Sequence, residues 1–415
     1  MKKFLLLLGI IPCFIMCSDD DEGTATVPEP VQEDPMQEPP PPPANATFPA
    51  PCVDGLAAGT YDCNNIDLIY KFNLNQLDAN SGNDCWGWTD PTNGREYALM
   101  GLDNGTAFID ISDPSAPVYL GKLPTETVSS SWRDIKVYKD HAFVVSEAAG
   151  HGMQVFDLTK LRSVTTPPAT FNTDAVYTEF GKAHNIVINE ATGFAYVVGT
   201  STFDGGPHII NIQNPKNPEF VGGYSLGDYS HDAQVVVYAG PDAAYQGKEL
   251  LIGSNANKIV IVDITDKVSP VEIATITYPQ TGYTHQGWFT EDHRYFILGD
   301  ETDELNFGLN SRTLVFDFSD LENPTLYSEY FGPTTAIDHN GYVHGNSYYM
   351  ANYSAGLRIL DINEGILQET AFFDSFPSNN NASFNGAWSV FPYFESGHII
   401  ISDIDSGFYL VKPKY

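Results

Sequence analysis

Four histidines recur through the middle of the chain, each followed by a polar residue: His184-Asn185, His231-Asp232, His285-Gln286 and His339-Asn340. Arg133-Asp134 holds the matching place upstream. Imidazoles with a nearby carboxylate are the donor set of a transition-metal centre. The same groups hydrogen-bond anionic or sugar ligands. The candidate ligand or metal set is therefore Asp134, His184, His231, Asp232, His285 and His339, and the cofactor it implies is a divalent metal. A metal-dependent hydrolase or lyase would also need a placed general base, for which Asp134 and Asp232 are the candidates. The competing reading is structural: a residue repeated at a repeated position bonds the backbone of the neighbouring unit.

A second group of donors is the run "GDETDELNFG". Asp300, Glu301, Asp303 and Glu304 form a candidate calcium loop, although the spacing lacks the glycine and terminal glutamate of an EF-hand. The alternative is a solvated acidic loop. Trp86, Trp88, Trp132, Trp288 and Trp388 lie near the same repeated positions, where aromatic platforms can stack on a glycan. Trp88, Trp288 and Trp388 share one offset, which points to a repeated packing position. The chain has no GxSxG, no HExxH and no phosphate-binding glycine loop, so no catalytic residues are assigned.

These residues sit in an internal repeat. "TAFIDISDPSAPVYLG", "MQVFDLTKLRS", "HIINIQNPKNPEFVGG", "KIVIVDITDKVSPVEIA", "TLVFDFSDLENPTLYS" and "LRILDINEGILQETA" share one plan, an apolar run ending in Asp or Asn, a polar turn and a second run. The terminal residues Asp110, Asp157, Asn211, Asp263, Asp317 and Asp361 are 47, 54, 52, 54 and 44 residues apart. Those are propeller-blade lengths. Each unit divides into four short strands separated by Gly, Pro, Asn and Asp, and nothing has a sustained helical period. Seven unit starts fall near Cys85, Trp132, His184, His231, His285, His339 and Asn385. The expectation is an all-β, seven-bladed β-propeller. Its inner strands bring the histidines to one channel mouth. The aspartate then caps the turn between the third and fourth strands. The last unit lacks a fourth strand, and the alternation in residues 66–74, "IDLIYKFNL", supplies one that closes the ring.

The strand "IVIVDI" followed by Asp and Pro resembles the LVIVD repeat. The stretch from "CVDGLAAGTYDC" through "DCWGWTDPTNGREYALMGLDNGTAFIDISDPSAPVYLG" resembles the choice-of-anchor B family. The resemblance spans Cys52 to Tyr415. It implies an exported propeller displayed at the surface, with an attachment device that varies among members. It implies no reaction.

The N-terminus reads as the attachment device. "MKK" and the apolar run "FLLLLGIIPCFIM" form a signal peptide over residues 1–16, and Cys17 is the candidate lipid anchor. An ordinary secretory signal is the alternative. Residues 17–50 read as an acidic, proline-rich disordered tether, and 51–415 as the single propeller. "SDDDE" after the cysteine resembles the acidic export signal of surface lipoproteins. The mature chain has no transmembrane helix, so its expected membrane partner is the outer membrane, reached through the lipid.

The net charge is −33, and removing Lys2 and Lys3 takes it to −35. With no basic stripe, nucleic acid is excluded as a partner. In an oxidising compartment Cys52 and Cys63, flanking a Gly-rich loop, form a disulfide, while Cys85 is a buried free thiol. The expected function is a monomeric surface scaffold that binds a protein or glycan.

Overall fold

The apolar runs form strands that pair in sequence order, because each is short, rich in Val, Ile, Leu and Phe, and followed at once by turn formers. In the fourth unit, Asp232–Val237, Glu249–Ser254, Ile259–Asp263 and Val271–Ile276 make one antiparallel sheet. Its second and third strands are buried along nearly their whole length, whereas the outer strand is mostly exposed or half-buried. Continuous apolar runs fit strands covered on both faces. The computed structural model describes residues 47–225 and 229–414. The expected signal peptide, the candidate anchor Cys17 and the expected tether up to residue 46 lie outside them.

Among the described residues there are seven such sheets, the blades of a β-propeller. The inner strands are Gly82–Thr89, Arg133–Tyr138, Asn185–Asn189, Asp232–Val237, Thr284–Phe289, Gly341–His344 and Ala387–Phe391. Each touches the next, and the seventh touches the first. Apolar clusters fill the spaces between blades. Between the third and fourth, Tyr196, Val198 and Ile209 pack with Leu251, Val260 and Val262.

The repeated aspartate does what the turn requires. Its Oδ1 accepts the backbone N–H two residues on at Asp110 (3.0 Å), Asp157 (3.1 Å), Asp263 (3.1 Å) and Asp317 (2.8 Å), and Asn211 does the same (3.0 Å). Asp361 departs from the pattern. There Leu357–Asn363 and Ile366–Phe373 pair through a tight turn, with Asn363 opposite Ile366.

Closure takes two N-terminal pieces. Ile66–Phe72 pairs antiparallel with Gly407–Pro413 and completes blade seven. The strand does not keep one face to its end, as the alternation predicts. A bulge between Leu68 and Tyr70 shifts the register, so Ile66 and Leu68 enter one apolar cluster and Phe72 another. Leu74 lies in the 3-10 turn that follows. Upstream, Tyr61–Asn64 adds to the outer edge of blade six, with Cys63 opposite Phe373. Cys52 and Cys63 form a disulfide across a Cα–Cα distance of 6.0 Å. Buried Lys71 ties the pieces together, donating to Tyr61 Oη (3.0 Å) and Tyr409 Oη (2.8 Å). The propeller also begins before residue 51. Ala50 bridges to Leu68, and Phe48 packs 5.2 Å from the Tyr70 ring.

Two perturbations test the closure. Deleting residues 18–76 uncovers the outer edges of blades six and seven, and aggregation is expected, whereas deleting 18–46 leaves the melting temperature unchanged. Replacing Cys52 and Cys63 by serine lowers stability by about 2–4 kcal/mol. Equal melting and a monomeric state for both truncations would place the seam elsewhere.

Candidate functional site

An inner strand is the free edge of its sheet. Near its start, going round the ring, stand Asn83, Arg133, His184, His231, His285, His339 and Trp388, although Arg133 turns into blade one and bonds the Leu102 carbonyl (3.0 Å) and Thr125 Oγ1 (3.0 Å). The next position holds Asp84, Asp134, Asn185, Asp232, Gln286, Asn340 and Ser389.

The four histidines form an arc over four consecutive blades. Their ring centroids are 4.1 Å apart from His184 to His231, and 4.2 Å for each of the next two steps. Trp388 extends the column, 4.9 Å from His339. Its shared offset with Trp88 and Trp288 misleads: the bulge between Ala387 and Ser389 that holds Trp388 matches the one between Thr284 and Gln286 that holds His285, so the start of blade seven is Trp388 and not Asn385. Trp88 packs on Tyr97 at 5.0 Å, and Trp288 and Trp86 both meet Tyr342 deeper in the channel.

Three of the imidazoles are pinned through Nδ1. His231 meets the His285 carbonyl (3.1 Å), His339 the Trp388 carbonyl (2.5 Å) and His184 the Glu147 carboxylate (2.6 Å). The first two are the interblade bonds of the structural reading. A carbonyl only accepts, so Nδ1 is the donor and Nε2 of the neutral ring keeps its lone pair. Burial holds His231 and His285 well below the ordinary histidine pKa, helped by the neighbouring imidazoles, and takes His339 down to about 3. These three rings are neutral at neutral pH.

The carboxylate of the arc is Glu301. It directly follows the second strand of blade five, Tyr295–Asp300, just as Glu147 follows His141–Ser146 in blade two. Glu301 Oε1 accepts from Tyr353 Oη (2.9 Å) and lies 3.6 Å from His339 Nε2, while Oε2 lies 3.8 Å from His285 Nε2. Burial pushes its carboxyl up to about 7. Tyr353, which holds it, has φ +28°, a costly conformation for a bulky side chain.

Asp134 and Asp232 are not in that group. They belong with Asp84 around Lys136, whose Nζ is 2.6 Å from Asp134 and 3.6 Å from Asp84. Burial opposes the Lys136 charge, yet Asp134 and Asp84 raise its pKa above the usual lysine value. Burial holds Asp84 well above the carboxylate range while Asp134 stays below it, so this close pair keeps a proton on Asp84. Burial and the Asp134 charge lift Asp232 to about 7. Asp84 and Asp134 also bond the next blade, accepting from Ile135 N (3.0 Å) and Ile186 N (2.7 Å).

The four acids of the candidate calcium loop do not converge on one point. Asp300 accepts from Gly282 N, Tyr283 N and Tyr278 Oη at 2.6–3.0 Å, and Glu301 joins the histidines. Asp303 and Glu304 are neither solvated nor paired with Asp300. They are buried, with Asp303 3.1 Å from Arg312 Nη1 and Glu304 accepting from Arg312 N (3.2 Å). Asp303 and Glu304 open the short helix Asp303–Phe307 and hydrogen-bond each other, while Asp300 ends the strand, Glu301 follows it, and both turn to other partners. Cys85 is a buried free thiol whose pKa burial pushes far up.

Asp84, Lys136, Glu147 and Tyr353 escape a reading of the sequence. For Glu147 the available signal is register, since it and Glu301 each follow a second strand whose inner neighbour begins one blade's chemistry.

The LVIVD-repeat model matches residues 96–125 and 244–277, and with seven blades these matches fit an LVIVD-repeat propeller. No curated protein matches the chain. Among solved structures, a Lactobacillus plantarum protein is similar at 12% identity over 72% of this chain and 84% of its own, with a TM-score of 0.52. Kuenenia stuttgartiensis hydrazine synthase is similar at 11% identity over 74% and 89%, with a TM-score of 0.50. The β-propeller domain of Cps50 (Swd1) from Myceliophteria thermophila gives 11% identity over 76% and 93%, with a TM-score of 0.49. At such identities the first two likenesses are of fold alone.

The buried pair gives a pH-dependent prediction. Lys136→Met leaves Asp134 without its cation and lowers stability by about 3–5 kcal/mol near neutral pH. Without the ammonium both carboxyls have folded pKa values above their unfolded ones. The folded state then tolerates them below about pH 4 and loses stability as pH rises. Melting at pH 4.5 and pH 8 checks this: the deficit shrinks at the lower pH, and equal deficits would refute it.

Proposed function

We propose that this chain is exported, anchored at the outer membrane surface through a lipid on Cys17, and acts there as a rigid scaffold binding a protein or glycan ligand. The propeller fold supports a binding or interaction scaffold in general. The observation that carries the finer reading is the aromatic rim of the histidine mouth. Tyr229 lies 6.5 Å from His184, Tyr283 lies 5.2 Å from His231, and exposed Phe384 stands 5.6 Å from Tyr353. With half-buried Trp388 these rings flank the imidazoles and two carboxylates. Aromatic faces beside fixed hydrogen-bonding groups suit a sugar ring or a polar peptide, because they bury area at low entropic cost. The Cys52–Cys63 crosslink supports export, since such bonds persist in oxidising compartments.

The alternative, a metal-dependent hydrolase or lyase, is less well served. Its two expected bases, Asp134 and Asp232, attend Lys136 rather than the group formed by His285, Glu301 and His339.

Glycan arrays and pull-downs with the purified chain test the scaffold. A specific ligand is expected, with binding lost in Tyr283→Ala and Trp388→Ala proteins that still fold. Turnover of a small substrate with no captured partner would sink the reading. For the anchor, Cys17→Ala abolishes lipid labelling and frees the protein from membranes, and a variant that stays membrane-bound would contradict it.

A further inference from the structure

His285 is 2% exposed, and its Nδ1 has no hydrogen-bond partner among the described residues. Its Nε2 lies 3.8 Å from Glu301 Oε2, beyond hydrogen-bond reach. A buried polar ring left this way is costly, and such a group calls for an explanation. Glu301 is likewise held 3.6 Å from His339 Nε2, close to both rings and bonded to neither.

That spacing suits two donors sharing an ion. Zinc ligands about 2.1 Å from the metal in tetrahedral array stand roughly 3.4 Å from one another. One donor atom each from His285, Glu301 and His339 lies within 4.8 Å of the others. The supporting groups match as well. His339 gives its Nδ1–H to the Trp388 carbonyl, which fixes Nε2 as the free donor. Tyr353 Oη holds the Glu301 carboxylate at 2.9 Å. Outer partners of this kind set the tautomer and aim of metal ligands.

We propose that His285, Glu301 and His339 bind one divalent transition-metal ion through two imidazole nitrogens and one carboxylate. Zinc fits this set, because it accepts nitrogen and oxygen donors and is satisfied by three protein ligands with a fourth position open. His184 and His231 lie outside the group. The ion gives His285 Nε2 a partner beside Glu301, leaves its Nδ1 unpaired, and bridges two blades, five and six. The proposal does not depend on a protein or glycan covering the mouth.

The test uses the full chain, stripped with a chelator and titrated with Zn²⁺ by calorimetry, then with Co²⁺ by visible absorption. One equivalent of Zn²⁺ is expected, with Co²⁺ developing ligand-field bands. Tyr353→Phe, which keeps all three ligands, weakens Zn²⁺ about 10–100-fold, and Glu301→Gln weakens it further. His293→Gln, in the turn at the other end of blade five, has no effect. Absence of Zn²⁺ binding overturns the proposal. So does wild-type affinity in folded Glu301→Gln, and if that variant fails to fold, unchanged affinity in Tyr353→Phe decides against it. Metal is the only probe, so failure here leaves the ligand-binding reading untouched, and an empty glycan array leaves this one untouched.

Discussion

The inner strand of every blade is a sheet edge, and its channel-side backbone groups have no ladder to join. A buried N–H or carbonyl must find a partner. In this ring the partner is often a side chain of the neighbouring blade. Asp84 accepts from Ile135 N, Asp134 from Ile186 N and Gln286 from Gly341 N, while Asn185 donates to the His231 carbonyl. That need explains why a propeller with apolar walls between its blades has a polar centre. It also explains the charge there. Two carboxyl groups used as acceptors in a buried layer, sharing one proton, still carry a charge that needs a counterion, and Lys136 supplies it while its ammonium lies 4.6 Å from the Trp86 ring.

The same need makes the two readings of the histidines compatible, because an imidazole has two nitrogens. In His231 and His339, Nδ1 satisfies a carbonyl of the next blade and so serves the ring. The bond leaves Nε2 with a lone pair directed elsewhere. A structural role at one nitrogen therefore prepares the other for chemistry. His285 is the exception, with its Nδ1 unsatisfied and its Nε2 3.8 Å from Glu301 Oε2.

The parts of the fold that were legible in the sequence are those with a local cause. The Asp-capped turn recurs because a carboxylate two residues before an N–H can hold it, so the units could be counted from their aspartates. The closing strand was legible because an open sheet edge is costly. Bulges were not legible. The one after Leu68 ended the predicted face early, and the one at Trp388, matching that at His285, puts the start of blade seven three residues past Asn385. Glu301 was hidden by its neighbours. In sequence it belongs to an acidic run, but the strand ends at Asp300 and successive side chains leave in different directions. Tyr353, on the next blade, has no local signature at all.

The acidic composition reaches into the interior, and the consequence is more than surface charge. Arg312 is a lone guanidinium beside Asp303, with Glu304 and Asp338 buried close by. One cation cannot balance three buried carboxylates, so some of them keep protons. Burial and the Asp338 and Asp303 charges push Glu304 up to about 11, and burial holds Asp338 well above the carboxylate range. Lys136 with Asp84, Asp134 and Asp232 repeats the arrangement in the channel. Carboxyls whose folded pKa values are raised stabilise the fold below their unfolded values and lose that contribution as pH climbs. The buried histidines act in the opposite sense, since their lowered values favour the folded state once pH exceeds the unfolded histidine value near 6.5. The two sets offset each other between about pH 4 and 7. A core this rich in acids can thus remain folded near neutrality while His231, His285 and His339 stay uncharged at its mouth.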